Sequence, residues 1–96
     1  MNARQSISGQ SSVESGQVLA EIKRIVGEQM GREVGSLSAG DSLARDINCD
    51  SLDIVEIVML IEEEFDISVS DEMAQQVDTI GDVAAGVSEL LAQRTD

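Results

Sequence analysis

Apolar positions recur with a helical period over most of the chain. Between Gly16 and Met30, Val18, Ile22, Ile25, Val26 and Met30 form one stripe, with Lys23 and Arg24 off it. This spacing predicts a first helix, stopped by Gly31. The strongest pattern runs from Leu52 to Phe65. Ile54, Ile57, Val58, Ile61 and Phe65 fall on one face, which is a core face. Leu52, Val55 and Met59 fall on roughly the opposite side beside Glu56 and Glu63, with Asp53 and Glu62 at its margins; Leu60 also points off the core stripe. An apolar stripe among carboxylates on an outward face has no folding role of its own, so it reads as a docking surface.

The second helix carries its own start signal. Asp50 is a candidate N-cap and Asp53 stands at N3, an Asp-x-x-Asp variant of the capping box. Ser51 then occupies N1, with its hydroxyl near the free N–H groups of the first turn. A phosphate on that hydroxyl would meet the positive end of the helix dipole. Asp50 and Asp53 oppose this, which leaves a modest, screened attraction.

The connection from Arg32 to Cys49 is long for two helices and must be pinned to the core. Val34, Leu37, Leu43 and Ile47 are the expected pins. Ser42 to Asp46 is expected to form a short turn of helix, and Asn48 suits a left-handed residue just before the second helix. After Phe65, Ile67 and Val69 alternate without a partner strand, which predicts an extended loop with both side chains inward. Asp71 to Val77 reads as a short third helix capped by Ser70 or Asp71. Thr79-Ile80-Gly81-Asp82 is a further cap signature. It opens a last helix whose inner face is Ile80, Val83, Ala84, Val87, Leu90 and Leu91. The expected fold is all-α: a four-helix bundle of three main helices and a short third one. Residues 16–92 form the expected domain. Residues 1–15, rich in Ser, Gln and Gly, are an expected flexible tail, and 93–96 an expected C-terminal tail.

Charge changes the picture. The chain has 96 residues and a net charge of −13. Acids and bases balance up to Arg45, so the whole imbalance lies in the half that contains Ser51, where Arg94 is the sole base. Such a field repels nucleic acid and anionic membranes, steers basic partners and favours a monomer. No apolar stretch has the length of a membrane span, and no basic-then-apolar leader opens the chain. A single cysteine excludes an intramolecular disulfide and suits a reducing compartment, so a cytoplasmic location is expected.

Three chemistries compete for these residues. Asp46-x-Asn48-x-Asp50 imitates the start of a calcium loop, but Ser51 stands where glycine is needed and Ile57 where a bidentate Glu is needed. No specific metal site is expected, although Glu62-Glu63-Glu64 and Asp71-Glu72 are dense enough for loose divalent-ion binding. Catalysis fares no better. The chain has no histidine, and its one lysine, Lys23, belongs to another helix, so nothing activates Ser51. Cys49 sits two residues from Ser51, but Asp50 beside it raises the thiol pKa and argues for a small, half-buried structural residue. No enzyme activity is expected. The third chemistry is covalent carriage, in which Ser51 is a handle that another enzyme modifies.

Ile47-Asn48-Cys49-Asp50-Ser51-Leu52-Asp53, followed by Val55-Glu56, Val58-Met59 and Glu62-Glu63-Glu64-Phe65-Asp66-Ile67, resembles the acyl carrier proteins of bacterial fatty acid synthesis, with Asp50-Ser51-Leu52 as the hallmark. The likeness continues through Ser70-Asp71-Glu72 and Thr79-Ile80-Gly81-Asp82, over about residues 16–92. The resemblance implies that Ser51 bears 4′-phosphopantetheine, transferred from coenzyme A by a magnesium-dependent phosphopantetheinyl transferase. Acyl chains are then held as thioesters on the prosthetic thiol. It also implies that Asp50, Leu52, Asp53, Val55, Glu56, Met59, Glu62 and Glu63 meet basic, partly apolar patches on fatty acid synthase or related acyl-processing enzymes, weakly and briefly. The aliphatic face of Ile54, Ile57, Val58, Ile61 and Phe65, with Leu90, would shelter the chain, gaining about 0.8 kcal/mol per buried methylene. The sequence departs from the family pattern at Asn48-Cys49, where Gly-Ala or Gly and another residue is usual. It departs again at Ser70, where proline is usual, and at Leu60, where a small residue is common. The alternatives are a carrier dedicated to a polyketide or other lipid pathway, and an unmodified acidic helical adaptor.

Overall fold

A computed structural model of the chain describes residues 15–93. The expected tail at 1–15 falls outside these residues except for Ser15, and the expected C-terminal tail except for Gln93. Among the described residues there are four α-helices, α1 (Ser15–Met30), α2 (Ser51–Phe65), α3 (Asp71–Gln76) and α4 (Ile80–Gln93), with a 3-10 turn at Val34–Ser36. None is long and apolar enough to cross a membrane.

α1 ends because Gly31 takes a left-handed conformation (φ 67°), which a residue without Cβ adopts freely. The Arg32 N–H then bonds the Gly27 carbonyl at 2.9 Å, closing a Schellman motif. The reversal brings the Arg32 carbonyl oxygen to 2.7 Å from where a Cβ on Gly27 would stand, so position 27 must be glycine. α2 ends in the same way at Asp66 (φ 56°), with the Ile67 N–H returning to the Glu62 carbonyl. α4 opens with the expected box: Asp82 N–H donates to Thr79 Oγ1, and Thr79 N–H to the Asp82 carboxylate, each at 3.0 Å.

α1 is the central packing element and lies against both α4 and α2. Val18, Ile22, Ile25 and Val26 from α1 meet Ile57 and Ile61 from α2, and Ile80, Val83, Ala84 and Val87 from α4. Burying each of these larger side chains contributes about 1.5–3 kcal/mol. α2 and α4 face each other across a small cavity, closed on its third side by α3. Arg24 ties the far end of α2 to α1. Its guanidinium reaches Glu64 at 3.2 Å as well as Glu21 and Glu28 of its own helix; the bonds to Glu21, foremost, and to Glu28 raise its pKa.

Several expectations need correction. Leu37, Leu43 and Ile47 are buried pins, but Val34 remains 45% exposed. The chain doubles back tightly on α1, and it is Leu37 that reaches the Gly27 position, after the 3-10 turn. Residues 42–46 make the expected single turn, which does not propagate into a helix: the Asp46 and Ile47 N–H groups both bond the Ser42 carbonyl. An isolated antiparallel bridge joins Ser42 to Thr79. α3 stops at Gln76 because Val77 is already extended (ψ 145°), and Ser70 caps it. Leu90 is half-buried and lies in a shallow groove with Asp66, Ile67 and Ser68, outside the core. At about 100° per residue Leu91 returns to the azimuth of Ile80, whereas Leu90 falls well to one side.

Candidate functional site at the start of the second helix

Ser51 opens α2, and the loop before it is held on every side. Asn48 is left-handed (φ 67°), as its short polar side chain permits. The Cys49 N–H bonds the Leu43 carbonyl at 2.8 Å, and Arg32 reaches the carbonyls of Asp46 and Ile47 at 3.3 and 3.4 Å. Both halves of the capping box form: Asp53 N–H donates to Asp50 Oδ1 at 2.8 Å, and Asp50 N–H to Asp53 Oδ2 at 3.0 Å. Ser51 lies between these two carboxylates and is exposed, and its hydroxyl makes no hydrogen bond to a described residue. Nothing in the loop competes for that oxygen, so a phosphoester there displaces no existing bond.

Beneath the loop sits the one buried polar residue among those described, Ser42, at 1% exposure. Its hydroxyl donates to Asp78 at 2.8 Å and accepts from the Arg45 N–H at 3.1 Å, while its own N–H donates to the Asp46 carboxylate at 2.7 Å. Sequence reasoning missed this anchor. The local Ser42-x-x-x-Asp46 turn is visible in the chain, but Asp78 lies on a distant linker and no sequence spacing reveals it.

Cys49 is buried, more than the half-buried residue expected. Burial pushes its thiol pKa up, and the charges of Asp53 and Asp50 push in the same direction against a smaller effect of Arg32.

The outward face of α2 is exposed as the periodicity requires: Leu52 63%, Val55 52% and Met59 54%. Its acids are less uniform. Glu63 is exposed, and Glu56 is exposed but accepts a hydrogen bond from Gln29 of α1. Glu62 is half-buried and accepts from the Val69 N–H at 2.8 Å, so it also holds the loop after α2. Asp50 and Asp53 are occupied by the capping box. The acidic clusters do not assemble a metal site: among the described residues no three Asp, Glu or Cys side chains converge as ligands.

The cavity between α2, α3 and α4 has about 30 Å³ of free space and wholly apolar walls, including Leu43, Ile54, Ile57, Val58, Ile61 and Val87. Phe65 and Leu90 do not line it. Ile67 and Val69 are both half-buried, but only Val69 reaches the cavity.

A family model described as a phosphopantetheine attachment site matches residues 20–87, a span that contains Ser51 and all of α2 and α3. The chain is 37% identical over 75 residues to an acyl carrier protein of an Exiguobacterium species, covering 78% of this chain and 95% of that one. The chain belongs to the acyl carrier protein family. An acyl carrier protein of Clostridium acetobutylicum is 42% identical over 66 residues, covering 69% of this chain and 86% of its own length. The crystal structure of the acyl carrier protein from Thermotoga maritima superposes with a TM-score of 0.71 over 82% of this chain and 92% of that one. At 23% identity this speaks for the fold alone. Acyl carrier proteins are carriers rather than catalysts. Membership also implies a phosphopantetheinyl transferase and acyl-processing enzymes as partners.

Proposed function

We propose that this chain is a cytoplasmic carrier of bacterial fatty acid synthesis, with residues 16–92 as its carrier domain, and that Ser51 is its attachment residue. The observation that carries this reading is the Ser51 hydroxyl: exposed, unbonded and fixed at the first turn of the acidic helix. When bound, 4′-phosphopantetheine supplies a thiol on a long flexible arm that holds acyl groups as thioesters. The protein's own residues then have three tasks.

Asp50 and Asp53 fix the helix start, so that the Ser51 oxygen is presented to a transferase in one orientation. Leu52, Val55 and Met59 offer apolar contact, while Glu56 and Glu63 attract basic residues; such exposed contacts suit partners that must be left quickly. Ile54, Ile57, Val58 and Ile61 supply the apolar wall that shelters a chain. The cavity's free space is close to the volume of a single water in the liquid, so the helices must part to admit one.

The departures at Asn48, Cys49 and Ser70 favour a second reading, a carrier dedicated to a polyketide or other lipid pathway. A reconstituted bacterial fatty acid synthase separates the two. With this chain, carrying its prosthetic group, as the sole carrier, malonyl-dependent NADPH oxidation is expected, and none with Ser51→Ala. A loaded chain that supports no turnover rules out the fatty acid reading and leaves the dedicated carrier.

A further inference from the structure

The apolar cavity has one adjustable wall. Met73 reaches from α3 to α4, where its Cε and Sδ lie 3.4 and 3.8 Å from the point at which a Cβ on Gly86 would stand. The missing side chain of Gly86 is therefore a notch, and the thioether fills it. Met73 is half-buried and, like Gly86, lines the cavity. Methionine is unbranched and polarizable, so it can leave such a notch without rearranging the backbone. It is also carried by the helix least held in the bundle. α3 has six residues and no close backbone packing comparable to that of α1 on α4. The space is dry in character: every lining side chain is apolar, so only an apolar occupant is matched to it.

We infer that Met73 and Gly86 form the adjustable end of a site for a linear aliphatic chain, methionine filling the notch when the cavity is empty and yielding it when a chain enters. The depth of the notch then sets how many carbons the protein shelters. This rests on the carrier reading, with the attached acyl group as the chain. Each additional sheltered methylene raises the sheltered-to-exposed ratio roughly fourfold.

The test has two arms. The first uses the protein without its prosthetic group: methyl NMR under xenon pressure, wild type against Met73→Ala. Larger xenon-induced shifts at Val83 and Val87 are expected in the variant. The second uses butyryl to dodecanoyl thioesters of the loaded protein and follows their cleavage by hydroxylamine. Removal of Met73 Cγ, Sδ and Cε should move the longest fully protected chain up by about two or three carbons. Gly86→Leu should move it down. Met73→Leu, close in volume but stiffer, should retain the fold and lose protection of the longest chains. Identical xenon shifts and identical chain-length profiles in wild type and Met73→Ala would overturn the inference. If Ser51 takes no prosthetic group, the carrier reading fails, and the xenon comparison still decides whether Met73 and Gly86 border an accessible apolar site.

Discussion

The Ser42 hydroxyl donates a 2.8 Å hydrogen bond to the Asp78 carboxylate, joining the loop that precedes Ser51 to the linker that precedes α4. The Leu43 N–H reinforces the join by bonding the Asp78 carbonyl at 2.8 Å. The site loop and the cavity wall at Leu43 and Val77 are thus held by one short antiparallel contact. Ser42→Ala takes one partner from the Arg45 N–H and one from the Asp78 carboxylate, which is about half exposed and still paired with Arg45. It should destabilise the fold by about 0.5–1.5 kcal/mol, read from urea unfolding. The Arg45–Asp78 ion pair is exposed and 3.4 Å long, so Arg45→Ala should cost under about 1 kcal/mol.

The capping box at Ser51 is a separate device. Asp50→Ala removes the acceptor for the Asp53 N–H and should cost about 0.5–2 kcal/mol. Amide exchange should quicken first at residues 51–54, because the first turn frays before the core opens. Protection that stays unchanged there would show that the box does not hold the site.

The box at α4 gives a pH dependence. The Thr79 and Asp78 N–H groups bond the Asp82 carboxylate and hold its pKa below the usual range. A depressed folded-state pKa contributes stability that is complete above the unfolded value and lost as pH falls through the folded one. Wild type should therefore melt above Asp82→Asn at pH 7, and the gap should close on acidification below about pH 4. A gap that widens with acid would contradict this assignment.

Cys49 should behave as an inert thiol. Burial, and then Asp53 and Asp50, keep it protonated beyond the ordinary thiol range, so the thiolate fraction at neutral pH is small. Iodoacetamide should label the folded chain at pH 7.5 more slowly than a free cysteine, by tenfold or more on the order expected for a buried group. Unfolding in urea should restore the ordinary rate.

Leu90 separates two accounts of chain shelter. It stands outside the apolar cavity, while Ile57 and Val87 line it. On attachment of a long acyl chain, methyl resonances of Ile57 and Val87 should shift and those of Leu90 should move little. The reverse pattern would place the chain in the groove beside Asp66 and Ser68.

Helix boundaries, both capping boxes and the left-handed Asn48 were legible because they depend on neighbours in the chain. Asp50 needs only Asp53, and Thr79 needs only Asp82. The inner and outer faces of α2 were legible for the same reason, periodicity being a local property. What escaped depends on distant partners: the Ser42–Asp78 bond, the hold of Glu62 on Val69 and the seat of Met73 against Gly86. Val34 and Leu90 were misjudged because hydrophobicity marks a residue as suited to the core without saying whether the backbone turns it inward.

The central claim is that the Ser51 hydroxyl is the attachment point. Intact mass is read after incubation with coenzyme A, magnesium and a broad-specificity phosphopantetheinyl transferase, for wild type and for Ser51→Ala of equal melting temperature. A gain of one phosphopantetheine on wild type, mapped to the peptide holding Ser51 and missing from the variant, is the expected result. No gain on folded wild type, or an equal gain on Ser51→Ala, would contradict the account and leave an acidic helical adaptor, or a carrier modified elsewhere, in its place.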